Sequence, residues 1–265
     1  MAIITISRGA YSGIESLAER LREELGYRLL SREELLVATA QEFGASESQL
    51  ESALKHRPGL LEGRGLTKLH YIYCVRAVMA KAVQADNLVY HGEAGHLLLK
   101  GIPHQLRVMI VADPEARIET TMERCSLTRE KATEYVRTLD DERDKWVKWV
   151  HGVDMNDPAT FDLMVNLERV PVQSAIAIIA GTARRDFQTT PEAQKIVDDL
   201  VIASEIRARM GLDRDIADEK IEVAADDGIV TITSGARGVA DVDRVRQLAL
   251  RVPGVKDVES KIGVP

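Results

Sequence analysis

The sequence predicts an α/β protein in which a parallel sheet flanked by helices is followed by a small α+β module. Short apolar runs alternate with amphipathic helical segments from residue 2 to about 187, a pattern that indicates strand–helix–strand units. Thr190 followed by Pro191 then signals a helix start. Beyond it, the Asp227-Gly228 pair between two alternating runs predicts a β-hairpin.

The opening of the chain predicts a strand, a turn and a helix. Residues 3–6 form a short apolar run typical of a buried strand. Leu17, Leu21 and Leu25 recur at the four-residue spacing of one helix face. Gly26 follows directly, where a glycine commonly ends a helix.

The elements that follow keep the same alternation. Residues 57–66 contain one proline and three glycines and predict a loop. Strands buried on both faces are expected as apolar, β-rich runs, at 87–92, 106–112 and 161–166. Helices are expected from amphipathic or apolar periodicity, at 45–56, 67–84, 93–100, 113–124, 127–150 and 171–185.

The C-terminal segment has a more compact plan. Its expected helices cover 191–210 and 241–252, and its expected strands cover 219–225, 229–234 and 255–264. About 75 residues are small but workable for an independent module. We therefore predict two domains, at 1–187 and 188–265.

Composition narrows the classes of function. The 265 residues are 45% hydrophobic and carry a net charge of −7, which argues against broad nucleic-acid binding because that requires a basic face. The two cysteines form no CxxC pair, so neither a disulfide scaffold nor a thiolate zinc site is expected. The first residues lack the features of a signal peptide, and no apolar run reaches the roughly 18 residues of a membrane span. The expected location is the cytoplasm.

The turn after the first strand is a candidate phosphate-binding loop. Gly9 and Gly13 can supply a tight turn, and Ser12 and Ser16 can supply hydroxyls. Backbone amides at such a turn, together with the helix N-terminus, attract phosphate. Ser16 could serve as the hydroxyl that contacts Mg²⁺ through a bound nucleotide. The full GxxxxGK[ST] pattern is absent, because Ile14 stands where the lysine would be.

A structural interpretation of the same turn stays open. Ser12 and Glu15 have the S-x-x-E spacing of a capping box. In that case the glutamate folds back onto the cap and the turn only starts a helix. A carboxylate at this position would also repel a phosphate.

The segment "IITISRGAYSGIESLAERLREELGYRLLSREELL" resembles the N-terminus of the cytidylate kinase-like family, relatives of the nucleoside monophosphate kinases with a P-loop fold. The resemblance continues in register through "NLVYHGEAGHLLL", "LRVMIVADPEARIETTMER", "LTREKATEYVRTLDDERDKWVKWVHG" and "DPATFDLMVN". It covers nearly all of residues 2–180 and implies a parallel P-loop sheet.

The resemblance also implies an activity: transfer of a phosphoryl group from ATP, with Mg²⁺, to a nucleoside monophosphate such as CMP. Such chemistry depends on positioning and on positive charge around the transferred group. By resemblance, Arg143 and Asp140 are catalytic candidates, and Arg32 and Arg117 are substrate-binding candidates.

Several positions depart from the pattern of the family. Ile14 and Glu15 stand where relatives commonly have a basic residue, Ser31 replaces an acid, Glu93 replaces an expected arginine, and Glu142 replaces a basic residue. Loss of a stabilising arginine in phosphoryl transfer can cost about 10³-fold or more in rate. The sequence therefore predicts a weakened active site.

The tail resembles a BON domain, on the segments "IEVAADDGIVTITSGARG", "VDRVRQLALRV" and "PGVKDVESKIGV". The family is associated with contacts to phospholipid or protein. This copy has more acidic than basic side chains, so attraction to an anionic membrane is not supported by its charge. Contact with a protein partner, ligand sensing and a purely stabilising or dimerising role remain alternatives.

A metal site is a further reading of "HGEAGH", which contains His91, Glu93 and His96. The two histidines are five apart, at a strand end and a helix start, so they would not share a helix face. We do not expect a metal there.

Two main hypotheses follow. The first is a cytidylate kinase-like nucleotide-binding protein of reduced catalytic competence. The second is a non-catalytic protein that senses a nucleotide and acts through its BON module. A third role, as an oligomerisation scaffold, also stays open.

Overall fold

The computed structural model describes most of the chain, at residues 2–8, 14–55, 68–92, 94–213, 216, 221–234 and 239–262. The predicted loop at 57–66 and the glycine–serine turn at 9–13 lie outside these residues. None of the described helices is both long enough and apolar enough to cross a membrane.

The chain divides into two compact units. The first unit comprises residues 1–34, 55–57 and 86–189, and the second comprises 35–54, 58–85 and 190–265. The second unit thus combines the C-terminal segment with residues from the first half of the chain. The predicted domain boundary at 187/188 stays a prediction.

The strands of the described chain are β1 (Ile3–Arg8), β2 (Arg28–Ser31), β3 (Leu88–His91), β4 (Gln105–Val111), β5 (Leu163–Asn166), β6 (Ile221–Asp226), β7 (Ile229–Ser234) and β8 (Asp257–Ile262).

The described helices are α1 (Ile14–Leu25), α2 (Arg32–Phe43), α3 (Glu47–Lys55), α4 (Lys68–Val83), α5 (Gly95–Leu98), α6 (Pro114–Cys125), α7 (Arg129–His151), α8 (Val172–Asp186), α9 (Pro191–Leu212) and α10 (Val239–Ala249), with a 3₁₀ turn at Pro158–Thr160.

The described strands of the first unit form a parallel sheet in the order β2-β3-β1-β4-β5. Parallel strands need crossover connections, and helices supply them here. The register places Ile6 beside both His91 and Val108. The observed architecture confirms the predicted α/β fold class.

The core of the first unit lies against α1 and α8. Ile14, Leu17 and Leu21 are fully buried and pack with strand residues such as Ile4 and Val108. The leucines of α1 therefore recur every four residues because they form the buried face of the helix, as predicted. Gly26 ends α1 with a φ of 69°, the left-handed conformation that glycine adopts without steric cost.

Strand β2 and helix α2 are absent from the sequence prediction. Strand β2 has four residues and forms the edge of the sheet, so the apolar run is short and its side chains are only partly buried. Helix α8 was expected to begin at Pro171, but Pro171 is its N-cap and the helix begins at Val172.

The described strands of the second unit form a small sheet in the order β6-β7-β8, antiparallel in the first pair and parallel in the second. The predicted hairpin is present. Asp227 and Gly228 have φ of 48° and 78°, as a type I′ turn requires. Helices α9 and α10 cover this sheet, and helix α4 packs against α9 within the same unit.

Candidate functional site

The carboxyl ends of the parallel strands define the edge of the first sheet where a ligand is expected. In open α/β sheets, ligands bind outside these ends. Strand β1 lies between β3 and β4, so its end at Arg8 opens at the centre of this edge. The residues that directly follow β1, β2 and β4 therefore border the place where a ligand is expected.

The first turn of α1 carries three residues on which the candidate phosphate-binding loop depends. Ile14 is fully buried and belongs to the core, while Glu15 and Ser16 are exposed. Ile14 therefore serves packing and supplies no charge. Gly9, Ser12 and Gly13 lie outside the described residues, so the loop itself and the Ser12 capping box stay predictions.

Arg32 is the first residue of α2, directly after β2. Its side chain is 12% exposed, and its Nη1 lies 3.6 Å from a carboxylate oxygen of Glu33. Its Nε and Nη2 are buried and have no hydrogen-bond partner among the described residues. Unpaired buried donors of a cation cost free energy. An anionic ligand would satisfy them.

Arg32 lies close to the centre of the carboxyl edge. A Cβ built on Gly92 would come within 3.0 Å of the Arg32 Cβ. The Gly92 N–H donates to the carbonyl of Ile6 at 3.2 Å, which ties this residue to β1. The Arg32 Cβ thus lies next to Gly92, which directly follows β3 at the carboxyl edge of the sheet.

Ser31 has a local role that explains its presence in place of an acid. Its Oγ accepts from the Glu34 N–H at 3.1 Å, and its own N–H donates to Glu34 Oε2 at 2.8 Å. This is a capping box. The hydrogen bonds from Ser31 hold the pKa of the Glu34 carboxyl below its usual range. The S-x-x-E spacing of Ser31 and Glu34 is visible in the sequence and would have predicted the start of α2.

Three predicted charged residues come together where α6 packs on α7. Arg117 Nη1 and Nη2 donate to Asp140 Oδ2 and Oδ1 at 2.9 and 2.7 Å. Arg143 Nη1 lies 3.8 Å from Asp140 Oδ1. The side chains of both arginines are 12% exposed. The bidentate geometry fixes the Arg117 guanidinium.

The position of Arg117 follows from the strand that precedes α6. Asp113 caps this helix by accepting from the Glu115 N–H at 2.7 Å. The cap comes two residues after the end of β4, so the first turns of α6 start at the carboxyl edge. Arg117 follows β4 and Arg32 follows β2, so the two arginines lie on opposite sides of β1 in the strand order.

Asp162 directly precedes β5, at the opposite end of that strand from the carboxyl edge. Its carboxylate accepts from Arg107 Nη2 at 2.6 Å and from the Arg107 N–H at 2.8 Å. These residues stand at the amino ends of β5 and β4. Asn166, at the carboxyl end of β5, instead accepts from the Glu168 N–H. The structure therefore separates Asp162 from the arginines of the carboxyl edge.

His96 makes contacts of a buried structural residue. Its Nδ1 lies 3.0 Å from Ser7 Oγ, and its ring packs on Phe161 at 4.6 Å between centroids. Burial, with a smaller contribution from Arg107, lowers the pKa of His96 to about 4. The described residues contain no group of three or more His, Cys, Asp or Glu side chains that could hold a metal ion. Glu93 lies outside them.

Sequence reasoning missed the part played by Tyr90 and two glycines. A Cβ on Gly95 would come within 2.3 Å of the Tyr90 ring, and one on Gly92 within 2.5 Å of its hydroxyl. Tyr90 is 1% exposed, so its ring cannot move away freely. The two glycines of "HGEAG" are the signal, because glycine often marks a close approach.

The five-stranded parallel sheet and the charged groups at its carboxyl edge define the class of α/β proteins that bind ligands beyond their strand ends. Residues 3–169, more than half of the chain, match the cytidylate kinase-like family, and residues 198–265 match the BON domain. The chain belongs to the cytidylate kinase-like family and carries a C-terminal BON domain.

Two similar proteins illustrate the match. A curated protein named cytidylate kinase, from Methanothrix thermoacetophila, is 24% identical over 183 residues, covering 69% of this chain and 98% of that protein. A crystal structure of an uncharacterised protein from Eubacterium ventriosum aligns with a TM-score of 0.53 at 18% identity, covering 69% of this chain and 98% of that one. The structural likeness concerns the fold alone.

Proposed function

We propose that the protein binds ATP and a nucleoside monophosphate such as CMP at the carboxyl edge of its parallel sheet, and transfers a phosphoryl group between them at a reduced rate. The observation that carries the proposal is the buried Arg32 guanidinium. Its Nε and Nη2 lack hydrogen-bond partners among the described residues, and the Arg32 Cβ lies close to Gly92, whose N–H donates to the carbonyl of Ile6 in β1. A phosphate group supplies the acceptors that these donors need.

The residues of the first turn suit the phosphates of the donor nucleotide. The proposed ligands of this group are the backbone amides of Gly9, Ser12 and Gly13 and the hydroxyl of Ser16. A helix N-terminus attracts anions without a lysine side chain, though less strongly. Ser16 is exposed and is the proposed protein contact to Mg²⁺, which usually keeps several waters and binds through substrate phosphates.

The charged cluster of α6 and α7 has a proposed part in stabilising the transferred group. Arg143 is the candidate for contact with the phosphates, and Arg117, together with Arg32, for contact with the acceptor. Asp140 orients both neighbouring arginines through the ion pairs that it makes with them. Mg²⁺, held through the nucleotide by Ser16, would neutralise part of the phosphate charge.

The reduced rate follows from two positions at the start of α1. Ile14 is buried in the core, where relatives commonly have a basic residue, and Glu15 adds negative charge on the exposed side of the same turn. Removal of one donor that stabilises the transition state costs about 10² to 10³ in rate. We expect slow but measurable turnover.

The test is a phosphoryl-transfer assay with Mg²⁺–ATP and a panel of nucleoside monophosphates. We expect Arg143→Gln to lower kcat/KM by about a thousandfold or more, the size of an arginine effect on this chemistry. Arg137→Gln, an exposed change on the same helix, should leave kcat/KM unchanged. Absence of transfer to every monophosphate would rule the kinase activity out.

A second candidate is a nucleotide sensor without turnover, acting through the BON domain on a protein partner. The buried Ile14 favours it, because a core residue there leaves the first turn without a lysine-like charge. In this case Mg²⁺–ATP binds and is recovered unchanged after prolonged incubation. Reintroducing charge by Glu15→Lys should then tighten nucleotide binding without restoring transfer.

A further inference from the structure

A cavity of about 470 Å³ lies within the second compact unit. Its walls come from α4, α9 and β6. This volume falls in the range of about 300–1,000 Å³ that is typical of small-molecule sites. None of its lining residues belongs to the nucleotide site proposed above.

Arg76 of α4 lines this cavity and has no countercharge. Its Nε is buried and lacks a hydrogen-bond partner, and no described carboxylate pairs with its guanidinium. Burial lowers the pKa of Arg76, yet arginine stays charged in proteins. A desolvated and unpaired cation is costly. Its presence calls for an anion that the described residues do not supply.

Ser204 of α9 adds a second unsatisfied group to the same wall. The residue is 5% exposed, and its Oγ is buried with no hydrogen-bond partner among the described residues. Buried hydroxyls nearly always have a partner. A ligand in the cavity would provide one.

Arg207, one turn further along α9, is held in place by protein contacts. Its Nη1 donates to the carbonyl of Ile221 at 2.9 Å, and its Nη2 donates to the Tyr73 hydroxyl at 3.1 Å. The guanidinium carbon lies 4.5 Å from the centre of the Tyr73 ring, within cation–π distance. These contacts fix a second positive charge at the cavity before any ligand arrives.

The charge balance of the lining favours an anion. Among the described lining residues, the cations are Arg76 and Arg207 and the carboxylate is that of Glu222, which is exposed. The described lining is thus richer in cations than in carboxylates, in a protein whose overall charge is −7. The remaining lining includes the apolar side chains of Leu200 and Val223, which suit the carbon part of a small organic ligand.

We propose that this cavity binds a small soluble molecule that carries a phosphate monoester group. Its phosphate would accept from Arg76 and Ser204 and lie near the Arg207 guanidinium. A phosphate has three oxygens and a charge of about −1.5 to −2 near neutral pH, so it satisfies donors from two helices better than a carboxylate does. The site is independent of the proposed nucleotide site, because its residues lie in the other compact unit.

The experiment is a calorimetric titration of the full chain with glycerol 3-phosphate and inorganic phosphate, with acetate as the carboxylate probe. Arg76→Gln should weaken phosphate binding at this site about tenfold or more, because it removes a charged hydrogen-bond donor. Arg251→Gln, an exposed change of the same charge outside the cavity, should leave binding unchanged. Ser204→Ala should weaken it severalfold.

The melting temperature of the ligand-free protein shows whether Arg76 and Ser204 serve ligand binding or the stability of the fold. Because Arg76 is unpaired, Arg76→Gln should keep or raise the melting temperature, and Ser204→Ala should barely change it. The same heat with Arg76→Gln and Ser204→Ala as with the wild type would overturn the proposal. So would equal affinity for acetate, or binding seen only with phosphatidic acid vesicles and with no soluble phosphate.

Discussion

The side chains of Arg32 and His96 are both largely buried. Burial nevertheless leads to opposite expectations about whether each residue needs an anionic ligand. Arg32 has buried donors without partners among the described residues, which an anionic ligand would satisfy. His96 avoids the cost by remaining neutral, because burial lowers its pKa to about 4.

The stability of the first unit should therefore depend on the charge of His96. The unfolded chain takes up a proton near pH 6.5, and the folded chain near pH 4. Between these values the unfolded state binds more protons, so stability falls as the pH is lowered. The full effect is about 3 kcal/mol. It is present above pH 6.5 and lost towards pH 4.

Thermal unfolding between pH 4 and 7 checks this prediction. His96→Asn should flatten the dependence of the melting temperature on pH. A smaller slope should remain from His104, whose pKa is also lowered by burial and is opposed by Asp86. An unchanged slope in His96→Asn would show that the residue does not titrate as described.

Some residue roles were readable from the sequence and others were not. The leucine spacing of α1 predicted its buried face, and Ser31 and Glu34 carried a capping signal that went unused. The same spacing places Ile14 on that face, three residues before Leu17 and seven before Leu21, although the phosphate-loop comparison treated it only as a missing lysine. Its burial depends on contacts with distant strands, which only the tertiary structure supplies.

At the scale of elements, the ion pair between Arg117 of α6 and Asp140 of α7 should contribute both to stability and to activity, because both residues belong to the candidate catalytic cluster. Asp140→Asn should weaken the bidentate ion pair that holds the Arg117 guanidinium. We expect a loss of about 1–2 kcal/mol in the free energy of unfolding, between the values for surface and buried pairs. Activity should fall as well, because Arg117 and Arg143 lose their common partner.

Chemical denaturation of the variant tests this expectation. Asp141→Asn is the matched control, since Asp141 is the next residue of the same helix and is exposed. It should change the free energy of unfolding by no more than a few tenths of a kcal/mol. Equal stabilities of the two variants would mean that the ion pair contributes nothing.

The hairpin between β6 and β7 offers a second test at this scale. Gly228 has a φ of 78°, and an added Cβ would lie 2.7 Å from the carbonyl oxygen of Gly254. Gly228→Ala should destabilise the second unit by about 1–3 kcal/mol, the cost of a strained backbone position.

The control for this change is Gly181→Ala in α8. Gly181 has no atom within 4 Å of an added Cβ, so alanine should stabilise by up to about 1 kcal/mol through helix propensity. Opposite signs for the two changes, measured by thermal unfolding of the full chain, are the expected result. A neutral Gly228→Ala would contradict the steric account.

Long, periodic elements were predictable at this scale, and short ones were not. The helices α4, α6, α7 and α9 follow their predicted ranges closely. Strand β2 was missed because four partly exposed residues at a sheet edge carry little periodicity. The Asp227-Gly228 pair predicted the hairpin correctly because the turn depends on the backbone preferences of these two residues themselves.

At the scale of the whole molecule, the division into compact units differs from the order of the chain. Helix α4 lies in the sequence of the kinase-like segment but packs against α9 in the second unit. Cys74 and Ala77 of α4 are fully buried with Ala208 of α9. The sequence around either helix could not predict these contacts, because the two helices lie far apart along the chain.

Removal of residues 190–265 should therefore disturb α4. The truncated chain exposes the apolar surface that α9 covers, so we expect binding of a hydrophobic dye and a lower melting temperature than that of the full chain. A truncated protein that keeps the melting temperature and binds no dye would show that the kinase-like segment folds without the tail. That result would favour the predicted boundary at 187/188.

The central claim is that the carboxyl edge of the parallel sheet holds nucleotides. Calorimetric titration with CMP and Mg²⁺–ATP tests it most directly, on the wild type, Arg32→Gln and the exposed control Arg22→Gln. The account predicts that the wild type and the control bind both ligands, and that Arg32→Gln weakens CMP about tenfold or more, as expected for loss of a charged hydrogen-bond donor. Absence of heat with either nucleotide, or equal CMP affinity in all three proteins, would contradict it.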